Sequence, residues 1–132
     1  MQKEYFNITR IYSEKNGETH FEDIKIELHE SSSQALESMK FKTKSIMLRK
    51  APATQARGWH LAPEKQLVVS ISGTAIVTVS DGETRTFEAG SILLVEDTEE
   101  YSKGHTTVAD EKAGERQTLF IPIEPDQLFI KS

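Results

Sequence analysis

Two histidines, His60 and His105, are the side chains of this 132-residue chain best suited to chemistry near neutral pH. A neutral imidazole can take up a proton or bind a transition metal, because its usual pKa lies close to ~6.5. Between the two histidines, two β-branched runs meet at Asp81-Gly82, a dipeptide typical of a two-residue type I′ turn. This pattern predicts a β-hairpin with one histidine on, or next to, each flanking strand. The two imidazoles could therefore meet at one site.

The spacing of residues around these histidines resembles the two sequence motifs of the cupins, a family of small β-barrels. His60 stands at the first histidine of the first motif, and Gly73 stands at the glycine that closes it. Gly90 and His105 stand at the first glycine and the histidine of the second motif. The resemblance covers roughly residues 45–123, and it implies a ligand site inside the barrel.

Two positions of the first motif depart from the cupin pattern, since Ala62 replaces the second histidine and Gln66 replaces the glutamate. A metal-binding cupin presents three histidines and a glutamate to one ion. The corresponding set in this chain is His60, Gln66 and His105, which could hold one divalent ion (Fe, Ni, Zn or Mn) or none. The carboxylates that could complete the set are Glu64, Glu96 and Asp97.

Without a metal, the same residues form a polar cluster in a small apolar cavity, which is the ordinary form of a small-molecule site. His60 or His105 could then act as general base, with Tyr101 or the other histidine as the acid. The resemblance implies a metal-assisted oxygenase or an isomerase that acts by proton transfer. The alternatives are a non-catalytic small-molecule binder or sensor, and a purely structural hydrogen bond between His60 and Gln66.

Five further residues are candidates for ligand binding or for its neighbourhood. Trp59 could pack in the core or rim, or form a stacking wall for a planar ligand. Arg49 lies in a predicted strand and could receive a carboxylate or phosphate in the pocket, whereas Arg57 is expected at the surface. Glu96 and Asp97 follow directly on an apolar strand, so the alternation of side chains predicts that one of them points inward.

The elements that must position these residues are predicted to be strands. Residues 1–132 are interpreted as one all-β domain, which by resemblance is a cupin-type double-stranded β-helix, or jelly-roll barrel. An N-terminal β-hairpin with one mostly polar face is predicted over residues 5–29. At most one short helix is expected, over residues 31–39, where serines could cap its start.

Two short runs, residues 67–71 and 92–95, are apolar at nearly every position. Such strands have both faces covered, one by the core and the other by the N-terminal strands or by another subunit. The second possibility favours a homodimer, which the resemblance to cupins also implies. The tail around residues 128–130 is apolar enough to dock on the barrel.

Composition limits the classes of partner. A net charge of −5 argues against nucleic-acid binding, which needs clustered Lys and Arg. The absence of cysteine excludes disulfides and thiolate metal sites. The N-terminus has no apolar signal core, and no apolar run approaches the ~20 residues of a membrane helix. We therefore expect a cytoplasmic protein that binds a small molecule and neither nucleic acid nor a membrane.

Overall fold

The computed structural model describes residues 4–32 and 34–129, and within them the chain forms eleven strands and one short helical turn. The strands are β1 (Glu4–Ser13), β2 (Thr19–Ser32), β3 (Ala35–Glu37), β4 (Met47–Ala51), β5 (Ala56–His60), β6 (Gln66–Ser72), β7 (Ala75–Val79), β8 (Thr84–Phe87), β9 (Ile92–Val95), β10 (His105–Ala109) and β11 (Arg116–Pro122). The helical turn is a 3-10 helix over Glu111–Ala113.

These strands form two sheets. The larger sheet has the order β3-β2-β1-β9-β6-β11-β4, and the smaller has the order β5-β10-β7-β8. β1 runs parallel to β9, and the other neighbours are antiparallel. The prediction of an all-β fold is confirmed. Each sheet keeps its edge strands, so the described residues do not close into one continuous barrel.

The N-terminal hairpin is also confirmed, with β1 and β2 paired without interruption from Glu4 opposite Leu28 to Ser13 opposite Thr19. Its predicted polar face was wrong. Ile8 is buried on the outer face of the large sheet, and Ile11 is fully buried on the inner face. The hairpin buries both faces because β1 pairs with β9 as an interior strand of the large sheet.

Two apolar clusters hold the fold together, one on each face of the large sheet. The inner cluster lies between the two sheets, and the outer cluster covers the opposite face of the large sheet. The inner cluster contains Ile11, Phe21, Ala62, Ala75, Val77, Val79, Phe87, Leu93 and Val95. The outer cluster contains Ile8, Ile24, Ile26, Leu94 and Ile123.

The outer cluster is covered by residues of the same chain. Phe41 and Phe129 stack with ring centroids 4.2 Å apart, and both pack against this cluster. The apolar tail therefore docks as expected, although its residue Ile130 lies outside the described residues. Part of the cover of the outer face therefore comes from this chain itself. The homodimer stays a prediction.

The hairpin between the two histidines is confirmed as β7 and β8, but its predicted type I′ turn is wrong. That turn requires a positive φ at both central residues, and no described residue other than glycine has one. Instead, Val79 N donates to Glu83 O at 3.0 Å, and Gly82, at φ 100°, donates to Val79 O at 3.1 Å. The connection is a longer loop in which Gly82 alone takes the left-handed conformation.

The helix predicted over residues 31–39 is wrong. β2 continues through Ser32, and the chain returns as β3, which pairs with β2 in antiparallel register. Ser33 lies outside the described residues. The 3-10 helix lies in the segment 110–116, where Asp110 caps it by accepting a hydrogen bond from Lys112 N at 3.0 Å. Within the described part of the chain, no helix has the length and apolarity to cross a bilayer.

A partly exposed histidine, His20, links the N-terminal hairpin to the β7–β8 hairpin. His20 on β2 lies 2.7 Å from Asp81, in the β7–β8 turn, and 2.7 Å from Glu14. The pKa of His20 is raised, chiefly by its hydrogen bond to Glu14, with a further contribution from Asp81. Both ion pairs exist only while the imidazole is protonated.

We predict that His20→Gln destabilises the protein at low pH and has little effect at high pH. A raised folded-state pKa stabilises the fold fully below the unfolded value of ~6.5, and this stabilisation disappears as pH rises through the folded value. The expected difference is no more than about 1 kcal/mol, because the pairs are partly solvated. Urea unfolding at pH ~5.5 and pH ~9 measures it. His29→Gln, at an exposed position of the same strand, is the control, and an equal effect at both pH values would contradict the prediction.

Candidate functional site

The two histidines meet where the small sheet ends. β5 ends at His60, β10 begins at His105, and the antiparallel register places these two residues opposite each other. Their ring centroids lie 4.4 Å apart, with the ring planes inclined by 58°. The structure thus brings together the two residues that the sequence singled out.

Gly104 allows this close approach of the two strands. Its φ is 74°, and a Cβ atom built on it would lie 2.3 Å from the backbone oxygen of His60. Any other residue would therefore collide with β5 and would also hold a left-handed backbone that L-residues disfavour. Gly104 is a positioning residue for the histidine pair.

Asp97 lies behind His105 and fixes its ring. The carboxylate is fully buried, and its Oδ2 accepts a hydrogen bond from His105 Nδ1 at 2.5 Å. The backbone oxygen of Asp97 also accepts from Ala62 N at 3.2 Å, which ties the segment after β9 to the segment after β5. The prediction that one of Glu96 and Asp97 points inward is confirmed for Asp97, whereas Glu96 pairs with Arg10 and with Lys65 at 3.1 Å.

Both imidazoles are held through Nδ1, which leaves Nε2 as the free nitrogen of each ring. His60 Nδ1 donates to the backbone oxygen of Gly58 at 2.7 Å. His105 Nδ1 donates to Asp97, the arrangement that fixes the tautomer of metal-binding and catalytic histidines. Among the described residues neither Nε2 has a partner, so the lone pair of each is available to a ligand proton or to an ion.

A cavity of about 320 Å³ lies between the two sheets, and both histidines line it. Gln66 and Arg49 line it as well, and Gln66 is only 5% exposed. Within the described residues, the side chain of Gln66 makes no hydrogen bond, so its amide is free to meet a ligand. The apolar part of the cavity wall is formed by Val68, Ala75, Val77, Phe87, Leu93 and Val95.

Four predicted site residues do not line the cavity. Tyr101 is 55% exposed and Trp59 is 57% exposed. Trp59 precedes His60 on β5, so the alternation of side chains directs it to the opposite face. The other two are Glu96, which is engaged by Arg10 and Lys65, and Asp97, which is buried behind His105. Because Tyr101 does not line the cavity, it is not placed to act as the general acid, and the second histidine of the pair is the remaining candidate for that role.

Sequence reasoning missed several buried polar residues of the cavity, chief among them Arg116. It is 8% exposed, begins β11 and shares the inner face of that strand with Thr118, because the two are two positions apart. The segment 110–116 has the composition of a solvated loop, so the sequence did not indicate that β11 begins at Arg116. Arg57, expected at the surface, is exposed but lines the cavity rim.

The donors near the histidine pair suit a divalent ion poorly. His60, His105 and Gln66 are three neutral groups, Asp97 is already bonded to His105, and Glu64 pairs with Lys44 at 3.1 Å. Among the described residues, no cluster of three His, Cys, Asp or Glu side chains is placed to hold an ion. A tight site normally includes an anionic ligand that balances the charge of the metal. Metal binding at His60, Gln66 and His105 stays a prediction, and metal analysis of untagged protein would test it.

No protein-family model matches the sequence, and no curated protein matches it significantly. Solved structures similar to the chain include two proteins described by their crystal structures. One is the conserved protein SPY1581 of unknown function from Streptococcus pyogenes, 22% identical over 69% of this chain and 71% of that chain, with a TM-score of 0.46. The other is protein NMB1881 from Neisseria meningitidis, 15% identical over 70% of this chain and 91% of that chain, with a TM-score of 0.47. Similarity at this level does not identify a function.

We predict that Gly104→Ala separates the two imidazoles and destabilises the fold by more than Gly82→Ala. Both glycines have a positive φ, so both substitutions introduce backbone strain of about 1 kcal/mol. Only at Gly104 does the new methyl group meet another strand, since no atom lies within 4 Å of a Cβ at Gly82. Urea unfolding of the two variants measures the difference in their free energies of unfolding. Equal losses of stability would show that the contact between Gly104 and the backbone of His60 does not contribute to stability.

We predict that His60 titrates below the usual histidine pKa and His20 above it. Burial lowers the pKa of His60, and the charges of His105 and Arg57 add to this against the opposing bond to Gly58. His60 therefore stabilises the fold only while neutral, and this contribution is lost as pH falls through its lowered pKa. An NMR titration of the imidazole protons checks the order of the two midpoints. A midpoint for His60 at or above that of His20 would contradict it.

Proposed function

We propose that this protein binds a small molecule in the cavity between its sheets, with His60 and His105 contacting the ligand, as a small single-domain cupin would. The observation that carries this proposal is the pair of imidazoles 4.4 Å apart on the wall of one cavity, each with Nε2 free. The motif spacing supports the assignment to the cupins. The all-β, two-sheet architecture is compatible with it, and Asp97 adds a reason for the placement of His105.

The reaction that this arrangement supports best is proton transfer, as in an isomerase. Burial keeps His60 neutral near pH 7, because its pKa is lowered, and a neutral Nε2 is a general base. Asp97 holds Nδ1–H of His105, so Nε2 of His105 is the atom that exchanges a proton with a ligand. A proton that Nε2 of one imidazole removes from the ligand stays on that ring and can be returned by the same nitrogen to a neighbouring atom of the ligand, so the step balances without a further acid.

A non-catalytic binder or sensor is the second candidate, and the cavity composition favours it. Ala62 and Gln66 occupy motif positions where a metal-binding cupin has a histidine and a glutamate. The structure also leaves Tyr101 outside the cavity. In this role the two Nε2 atoms and the amide of Gln66 recognise the ligand by hydrogen bonds and do not transform it. The two candidates share one binding site and differ in turnover.

We predict that small fragments bind in this cavity and depend on the histidine pair. A fragment library of neutral, anionic and cationic compounds would be screened by amide chemical shifts in a 1H–15N spectrum. We expect shifts concentrated in β5, β6 and β10 and abolished for polar fragments by combining His60→Ala with His105→Ala. His29→Ala, at an exposed position, is the matched control. Binding confined to other surfaces, or unchanged in the double variant, would refute the proposed site.

A further inference from the structure

The end of the cavity away from the histidines carries positive charge without a matching carboxylate. Arg116 is buried, and the hydrogen bond made by its Nη1 goes to the neutral side chain of Gln55 at 2.7 Å. Burial lowers the pKa of Arg116, and the charge of Arg49 lowers it further. Within the described residues, neither Arg116 nor Arg49 forms an ion pair with an acidic side chain.

The two guanidinium groups belong to neighbouring strands and share one face. In the β11–β4 pairing Arg116 lies opposite Ala51 and Thr118 lies opposite Arg49, so the two arginines are diagonal neighbours. The guanidinium of Arg49 lies over the ring of Phe120, 5.0 Å from its centroid, which restricts its position. Two like charges in a partly desolvated space are unfavourable unless an anion joins them.

Hydroxyl groups complete a set of donors at this end. Ser70 on β6 pairs in register with Thr118 on β11, and both side chains are buried and line the cavity. Neither hydroxyl has a hydrogen-bond partner among the residues that the structure describes. The Nε and Nη2 groups of Arg116 also have no hydrogen-bond acceptor among the described residues, since Gln55 accepts only from Nη1. Such a planar fork matches the two oxygens of a carboxylate or phosphate.

β6 gives the order of these groups along the cavity. Its inward residues are Gln66, beside the histidine pair, then Val68 and then Ser70, beside the arginines. Four residues of strand span about 13 Å. Apolar side chains from both sheets, Val68, Val77 and Leu93, line the space between the two polar ends. The β6 wall of the cavity is therefore polar at both ends and apolar between them, while Arg57 and Thr107 of the small sheet also line the cavity.

We infer that the Arg49–Arg116 end, with Ser70 and Thr118, binds the oxyanion head group of a small organic acid. The short apolar body of this ligand lies along Val68 and Val77, and its other end reaches His60 and His105. This inference rests on the proposed function and adds the chemical class and orientation of the ligand. A carboxylate and a phosphate share the required chemistry, and the experiment separates them.

Four probes test the inference by isothermal titration at low and high salt: hexanoate, hexyl phosphate, inorganic phosphate and the neutral hexan-1-ol. We expect the two alkyl anions to bind more tightly than the alcohol, and their affinity to fall with salt. The tighter alkyl anion identifies the preferred head group. Tighter binding of inorganic phosphate than of either alkyl anion would refute the role of the apolar body.

Arg116→Gln is the decisive variant, because it removes the charge and keeps a hydrogen-bonding side chain. We expect it to weaken alkyl anion binding at least about tenfold, as for the loss of a charged hydrogen bond. It should also melt at the same or a higher temperature without ligand, since an uncompensated buried charge is gone. Arg85→Gln, outside the cavity, removes the same charge and should leave the affinity unchanged. Arg49→Gln tests the second guanidinium if Arg116→Gln does not fold.

The outcomes separate this inference from the proposed function. If hexan-1-ol and hexanoate bind in the cavity with equal affinity, the cavity binds small molecules and the oxyanion site is refuted. The same conclusion follows if Arg116→Gln melts lower and binds hexanoate like the wild type. If neither these probes nor any library fragment shifts the amides of β5, β6 and β10, both the cavity site and its anion end are refuted.

Discussion

The burial of β9 on both faces is the constraint on which the rest of the structure depends. β9 is the central strand of the large sheet, with Leu94 packed in the outer cluster and Leu93 and Val95 in the inner one. Alternation continues past the end of the strand and carries Asp97 inward. A buried carboxylate needs a hydrogen-bond donor, and His105 supplies it by donating from Nδ1 to Asp97. One short apolar run thus sets both the core and the orientation of the site.

The same reasoning explains how much of this protein could be predicted from its sequence. Period-two alternation and apolar runs are local signals, so the strand at 92–95 and the hairpin around Asp81-Gly82 were found correctly. The pairing of His60 with His105 needed the further assumption that their strands are neighbours, which the hairpin between them made plausible. Inward placement of one carboxylate followed from alternation alone.

The errors arose where the outcome depends on partners that are distant in sequence. Ile11 is buried because β1 enters the large sheet beside β9, and the sequence near Ile11 does not contain that information. Residues 35–37 form a strand because β2 offers them an edge, which outweighs the weak helix propensity of the segment. Arg116 was overlooked because an arginine after a polar loop resembles solvated surface until its strand neighbours are known.

The distribution of charge over the chain supports an anion-binding end of the cavity. The chain is acidic overall, yet many of its carboxylates pair with other cations, and among the described residues none pairs with Arg49 or Arg116. The pairs that these carboxylates form include Glu96 with Arg10 and Lys65, Glu64 with Lys44, and Asp23 and Glu83 with Arg85. Net charge therefore says little about what the protein binds, because the sign inside the cavity differs from the sign of the whole chain.

Asp97 and Arg116 then define a direction within the cavity. The buried carboxylate lies behind His105 at one end, and the buried guanidinium lies on β11 at the other. Their opposite charges produce a field along the cavity, and the apolar walls between them screen it less than water would. Under the proposed function, a ligand with one anionic end has a single favourable orientation. That end is drawn toward Arg116 and repelled by Asp97, which leaves the uncharged end of the ligand beside the two Nε2 atoms.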